Sequence, residues 1–309
     1  MANLKISQLP NYTTAVNKNI VFVNNNSGET TTSKITLNDF NGLTNGTGTN
    51  SVKSNNYLTS SPSSANTINA IAIGNGAEAT GDNSIAIGNE AYNVNRDGRA
   101  EYILIGKSTR GAQYTTVIGS EANCESGASA VAVGRSAAAQ SDNSVAIGNS
   151  SFVGFTNTSD SVAIGFDSTV NNNGRRSVAI GALSQADSEQ TVSIGYDTET
   201  DGFGSVAIGS VATTNGSFGI TIGGSGHTNN GNYNTIIGGV NNVTTSYTGS
   251  TMLNTKSRSA TTNDATFVEN LVIFNYASLN FADDTAAAAG GVVLGQVYHN
   301  AGALRIRIA

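Results

Sequence analysis

Few residues in this chain are of types that do chemistry, and their spacing argues against each reaction in turn. Ile105-Gly-Lys-Ser-Thr109 echoes the end of a phosphate loop, but Glu101 stands where the first glycine belongs. Gly74-Asn-Gly76 followed by Ala79 mimics a dinucleotide fingerprint, yet no helix-forming pattern follows it. Gly223-Gly-Ser-Gly226 lacks the aspartate that calcium-binding β-roll repeats place after their glycines. His227 and His299, the only histidines, are far apart and read as a solvated turn residue and a hairpin residue. Carboxylates such as Glu189 and Asp201 fall in turn segments, with no pair held on one rigid face for acid–base work. Cys124 is the single cysteine, which excludes an intrachain disulfide and a cysteine-cluster metal site and leaves a buried thiol. No catalytic, cofactor-binding or metal-binding residue is expected, and the chain reads as a structural protein rather than an enzyme.

The elements around these residues explain why they are decoys. The chain has 309 residues, 12% charged and 38% hydrophobic, with Gly, Ser, Thr and Asn filling the gap. A net charge of −6 without any basic run longer than Arg175-Arg176 argues against nucleic acid as a partner. No stretch approaches the ~20 apolar residues of a membrane helix, so no membrane insertion is expected. Met1 to Pro10 has no apolar run of signal-peptide length, so the expectation is synthesis in a cytoplasm and transport as part of something larger.

A four-residue motif closing on glycine recurs twelve times, at Gly74, Gly88, Gly106, Gly119, Gly134, Gly148, Gly165, Gly181, Gly195, Gly209, Gly223 and Gly238. The base spacing is 14, stretched to 18 before Gly106 and to 17 before Gly165. The residue before the glycine is Ile in eleven copies and Val in one, and the residue two earlier is always β-branched. A mostly small residue, such as Ala146 or Ala163, sits between them. This alternation predicts a three-residue strand, and β-branched residues at i and i+2 before a glycine suit no helix. A weaker pair of small residues, such as Ala137 and Ala139, predicts a second strand, so one coil is two short strands and two turns. No single coil buries its Ile and Val; stacked coils place Ile over Ile. The expectation is therefore that the β-branched pair, for example at Ile147 and Ile164, faces the interior.

Asn143-Ser-Val-Ala-Ile-Gly148, Asp160-Ser-Val-Ala-Ile-Gly165 and Arg176-Ser-Val-Ala-Ile-Gly181 resemble the head repeats of YadA-type trimeric autotransporter adhesins. The resemblance covers residues 68–245. It implies an all-β fold, a left-handed parallel β-roll of about twelve 14-residue coils, assembled as a homotrimer. The ends instead resemble tailed-bacteriophage fibre proteins: Leu4-Lys-Ile-Ser-Gln-Leu-Pro10 with strands at Ile20–Val23 and around Ser33–Thr36, and a C-terminal hairpin turning at Asn300-Ala-Gly302. Thr36-Leu-Asn-Asp39 is expected to cap a short helix.

These readings divide the chain into a docking module at 1–43, a linker at 44–66, a solenoid at 67–246 and a C-terminal β domain at 247–309. They point to a virion fibre (tail or head) that presents a surface for host attachment, docked to other virion proteins through its N-terminal module. The alternative is a bacterial cell-surface adhesin head that binds matrix or glycans. Candidate receptor contacts are Tyr92, Arg96 and Arg99 in the first insertion and Phe152 and Phe155 in the second, because exposed aromatics with arginine are common anchors. Asp97 and Tyr102 also lie in the first insertion, and residues 247–309 are expected to make the principal host contact.

Overall fold

Between two β-branched residues, each repeat places one small residue, and that alternation decides the interior of the coil. In the computed structural model, which describes residues 19–24, 31–36, 43–45, 52–54, 63–94, 101–171, 173–244, 247–269 and 276–308, Ala146 is fully buried while Ile147 next to it is 37% exposed. The same order holds along the ladder, with Ala72, Ala86, Ala132, Ala163, Ala179 and Ala207 all buried. This reverses the expected orientation: the β-branched residues form the outer face and the small ones the inner face.

The physical reason is thickness. A 14-residue coil folds back on itself within a few residues, so its two strands face each other across a narrow space filled mostly by methyl and hydroxymethyl groups. Leu104 and Val117 occupy the middle column where Gly111 faces them, and a Cβ on Gly111 would sit 2.6 Å from Leu104 Cδ2.

Each coil contributes a strand to each of two parallel sheets. The first sheet stacks thirteen coils from Ile71–Ile73 to Thr251–Leu253, one more than the twelve glycine-marked repeats. At ~4.8 Å per step this is roughly 58 Å of ladder. Register is like over like: Val145 pairs Val162, Ala146 pairs Ala163 and Ile147 pairs Ile164. The second sheet is built from two-residue strands such as Ala138–Ala139 and Phe152–Val153, whose second residue is buried. The motif glycine turns the corner between the sheets. Gly148 has φ +136, and a Cβ there would strike the carbonyl of Gly165 in the next coil. Position and conformation both demand glycine.

The ladder reaches beyond both expected limits of the solenoid. Leu43–Asn45, at the start of the expected linker, and Val52–Ser54 within it join the first sheet, with Val52 pairing Ile71. Past residue 246, Thr235 pairs Thr251 and Ile236 pairs Met252, and Thr251 N–H donates to the Ala265 carbonyl. Strand-forming residues beside an open ladder end continue it, because unpaired backbone groups are costly.

Contacts divide the chain at Phe267/Val268 into two units. In the first, Asn19–Asn24 pairs antiparallel with Thr31–Thr36, as the N-terminal strands were read. The expected cap at Thr36-Leu-Asn-Asp39 lies outside the described residues from position 37 onward. The second unit holds a helix, Asp284–Ala289, whose N-cap Asp283 accepts from Ala286 N–H at 2.8 Å. The C-terminal hairpin pairs Val297–Asn300 with Ala303–Ile306 around Ala301 and Gly302, both at positive φ. Ala287, Val292 and Tyr298 form its small core.

Candidate binding surface

The insertion residues split between plug and surface. Tyr92 lies on the outer face of the second sheet, with the Arg110 guanidinium 5.7 Å from its ring centroid and paired to Glu125 at 3.0 Å. Tyr102 turns inward instead. Its hydroxyl accepts from Thr80 N–H at 2.6 Å and donates to the Glu78 carbonyl at 3.2 Å, and burial raises its pKa. Arg96, Asp97 and Arg99 lie outside the described residues.

Phe152 occupies the same outer column as Tyr92, four coils further on, or ~19 Å away. Phe155 stands 60% exposed and edge-on to Phe152, with centroids 6.0 Å apart. The structure therefore brings the two phenylalanines together and leaves Tyr92 apart from them.

The richest chemistry sits on the turn that leads from the second sheet back to the first. Here the insertions of two neighbouring coils stack, with Asn157 Nδ2 donating to Asn173 Oδ1 at 3.2 Å. Beside them are two open hollows. One, of about 330 Å³, is lined by Asp142, Phe155, Asn157 and Arg175, and the other, of about 400 Å³, by Asn157, Arg175, Glu189 and Phe203. Arg175 donates to Glu189 Oε1 through Nη2 at 2.7 Å and Nε at 3.2 Å, and this bond holds the Glu189 carboxyl below its usual range.

Further along the same turn, Phe203, Phe218 and Tyr233 from successive coils form a ridge, with both centroid separations 5.4 Å. Sequence reasoning passed over these three because they fall in coils near base length; their spacing of 15, close to one coil each, was the available signal.

Carboxylates read as scattered in turns do gather. One oxygen each from Asp187, Glu199 and Asp201 lies within 4.8 Å of the others. Burial first, then the Asp201 and Glu199 charges, push the Asp187 carboxyl up to about 6, against a bond from the Asn171 amide. The one-coil spacing of 14 between Asp187 and Asp201 brings them together.

His227 is buried rather than solvated. Its Nδ1 accepts from Asn242 N–H at 3.2 Å and burial lowers its pKa. His299 is buried in the hairpin, where Nδ1 accepts from Gly302 N–H at 3.3 Å. Cys124 is buried as expected, its thiol pushed up to about 12 by burial. Among the described residues no helix is long and apolar enough to cross a membrane.

No curated protein matches the chain. Residues 68–91, 126–151 and 173–198 match the family model described as YadA head domain repeat (2 copies), so these coils are similar to YadA head repeats and the chain carries a β-solenoid of that repeat type.

Proposed function

We propose that the protein is the head of a homotrimeric surface attachment protein, acting by binding rather than by catalysis. The observation that carries this is the half-exposed outer face of the first sheet. Ile103, Ile105, Ile118, Ile147, Ile222 and Ile237 are all more than a third exposed, and the equivalent residues of the coils between them, such as Ile164 and Ile180, are partly exposed. A continuous apolar face of this kind marks an interaction surface. YadA-type heads assemble as trimers, which gives the face a partner in two further copies of the chain, and three-fold closure would cover it on every subunit. The turn edges remain outside that face and are free to meet a receptor on a cell or matrix surface. The matched repeats favour the bacterial cell surface as the place of work.

Light scattering of the purified protein is expected to give about three times the 31.4 kDa chain mass. Ile147→Asp together with Ile164→Asp should yield a folded monomer, because both side chains already lie outside the coil. A wild-type monomer at micromolar concentration would sink the proposal, and unfolding of the double variant would put those residues back in the core.

The second reading, a virion fibre with its N-terminal module docked to the particle, draws on the resemblance of both ends to phage fibres. Labelled antibody against the C-terminal unit, imaged on virus particles and on bacterial cells, separates the two readings.

A further inference from the structure

The aromatic ridge ends in an opening. At this turn the backbone N–H of one position in each coil donates to the carbonyl of the position before it in the preceding coil: Phe218 to Phe203, Tyr233 to Ser217, Gly249 to Asn232 and Asp264 to Thr248. Phe218, Tyr233, Gly249 and Asp264 are therefore equivalent residues in four successive coils. Phe218 covers one face of the Tyr233 ring, with planes 10° apart. On the other side the equivalent position is Gly249, which brings no side chain to the second face, and Tyr233 is 64% exposed. One coil further, the Asp264 carboxylate reaches back over Gly249 and occupies the space a Gly249 side chain would take.

The result is a notch over the outer part of the Tyr233 ring, with the carboxylate at its inner edge, about one coil or ~5 Å along the ladder from the root of the ring. Asn232 and Asn263 flank it. Their side-chain oxygens accept from Ser217 and Thr248 N–H groups, both at 2.9 Å, and their amide nitrogens make no hydrogen bond among the described residues.

We propose that this notch, where Gly249 leaves the exposed Tyr233 ring open beside the Asp264 carboxylate, binds one pyranose unit of a surface glycan. A pyranose has a C–H-rich face that packs on an aromatic ring and hydroxyls around its rim that need acceptors and donors. The notch offers an exposed ring, a carboxylate acceptor and two amide donors. An aromatic beside one carboxylate also suits an organic cation. The flanking groups favour the sugar, because neutral amides satisfy hydroxyls and do nothing for a second positive charge. The site rests on the attachment reading for its biological source. In a trimer it would be offered three times, raising avidity without new contacts.

The test uses the full chain and saturation-transfer NMR with the methyl glycosides of glucose, galactose, mannose, N-acetylglucosamine and N-acetylgalactosamine, and with choline and arginine amide as cation probes. At least one glycoside is expected to bind, and Tyr233→Ala is expected to weaken it on the order of tenfold, from loss of one aromatic face. Gly249→Asn tolerates the positive φ and meets only the movable Asp264 carboxylate, so it should fill the notch and abolish binding with an unchanged circular dichroism spectrum. Tyr196→Ala, at an exposed ring elsewhere on the solenoid, should bind as the parent does. No binding by any glycoside, equal binding by Tyr233→Ala, or binding of the cations alone overturns the site. Cell adhesion is scored separately. Parent and Tyr233→Ala adhering equally removes the notch and leaves the attachment reading standing; loss of sugar binding with adhesion absent in the parent removes the attachment reading alone.

Discussion

Ala163 and Ile164 are neighbours in one strand with opposite tolerances. Ala163 is packed between two sheets with no room around it, so Ala163→Leu should destabilise the protein by about 1–3 kcal/mol through overpacking. Chemical denaturation reads this directly, and an unchanged midpoint would mean the coil is wider than described. Asp142 is a turn residue whose Oδ1 accepts from Ala128 N–H of the preceding coil at 2.8 Å. Asp82 does the same for Ile68 at 3.0 Å. Asp142→Ala is thus expected to cost about 1 kcal/mol, more than a bystander surface substitution.

Asp187 gives the protein a pH dependence with a definite sign. Its folded-state carboxyl holds its proton up to about 6, above the ordinary value of 3.8. Protonation therefore favours the folded form, and stability should rise as pH falls from above 6 towards 4. Screening of this partly exposed group limits the effect to roughly 1 kcal/mol. Asp187→Asn should raise the thermal midpoint at pH 7.5 and reduce that gain on acidification, the remainder coming from Glu199, whose carboxyl burial and the Asp201 charge also push up. A midpoint that falls between pH 7 and 5 in the parent, and not in the variant, would reverse the assignment.

At the scale of the coil, size in one column is matched by absence in another. Gly111 faces Leu104, and its absent Cβ is also 2.6 Å from Thr115 Oγ1. Gly111→Ala alone should cost about 2 kcal/mol; in a Leu104→Ala background the added cost should shrink without vanishing, because Thr115 remains. Strict additivity in that double-mutant cycle would show that the two positions are not complementary. The later coils solve the same problem with hydrogen bonds. Thr244 Oγ1 donates to buried Asn229 Oδ1 at 2.7 Å, and Asn242 Nδ2 to the Thr255 carbonyl at 2.8 Å. Removing such an amide leaves its partner unsatisfied.

The first unit carries a ladder whose internal packing is complete in one chain while one outer face stays apolar. Small residues fill most of the coil's interior and the β-branched pair of each repeat lies outside it, so stability of the coil and association of chains depend on different columns. Substitutions at Ala146 and at Ile147 are expected to separate them, the first shifting unfolding of the subunit and the second shifting subunit affinity.

The alternation before each glycine and the spacing near 14 determined, without coordinates, that the chain stacks two short strands per coil in register, because side-chain period two and a glycine corner permit little else. The Asn300-Ala-Gly302 turn likewise marked the C-terminal hairpin, where Ala301 and Gly302 turn between Val297–Asn300 and Ala303–Ile306. Alternation is symmetric, however, and says only that two sets of side chains face opposite ways. Which set is inside depends on the distance between the two sheets, a tertiary quantity fixed by turn length and by the close approach of glycine corners. The same limit applied to function. One-coil spacings hinted at Asp187 over Asp201 and at Phe218 beneath Tyr233, but the open ring face beside Gly249 exists only once four coils are stacked, because a side chain missing from one coil becomes a notch only between neighbours that have theirs.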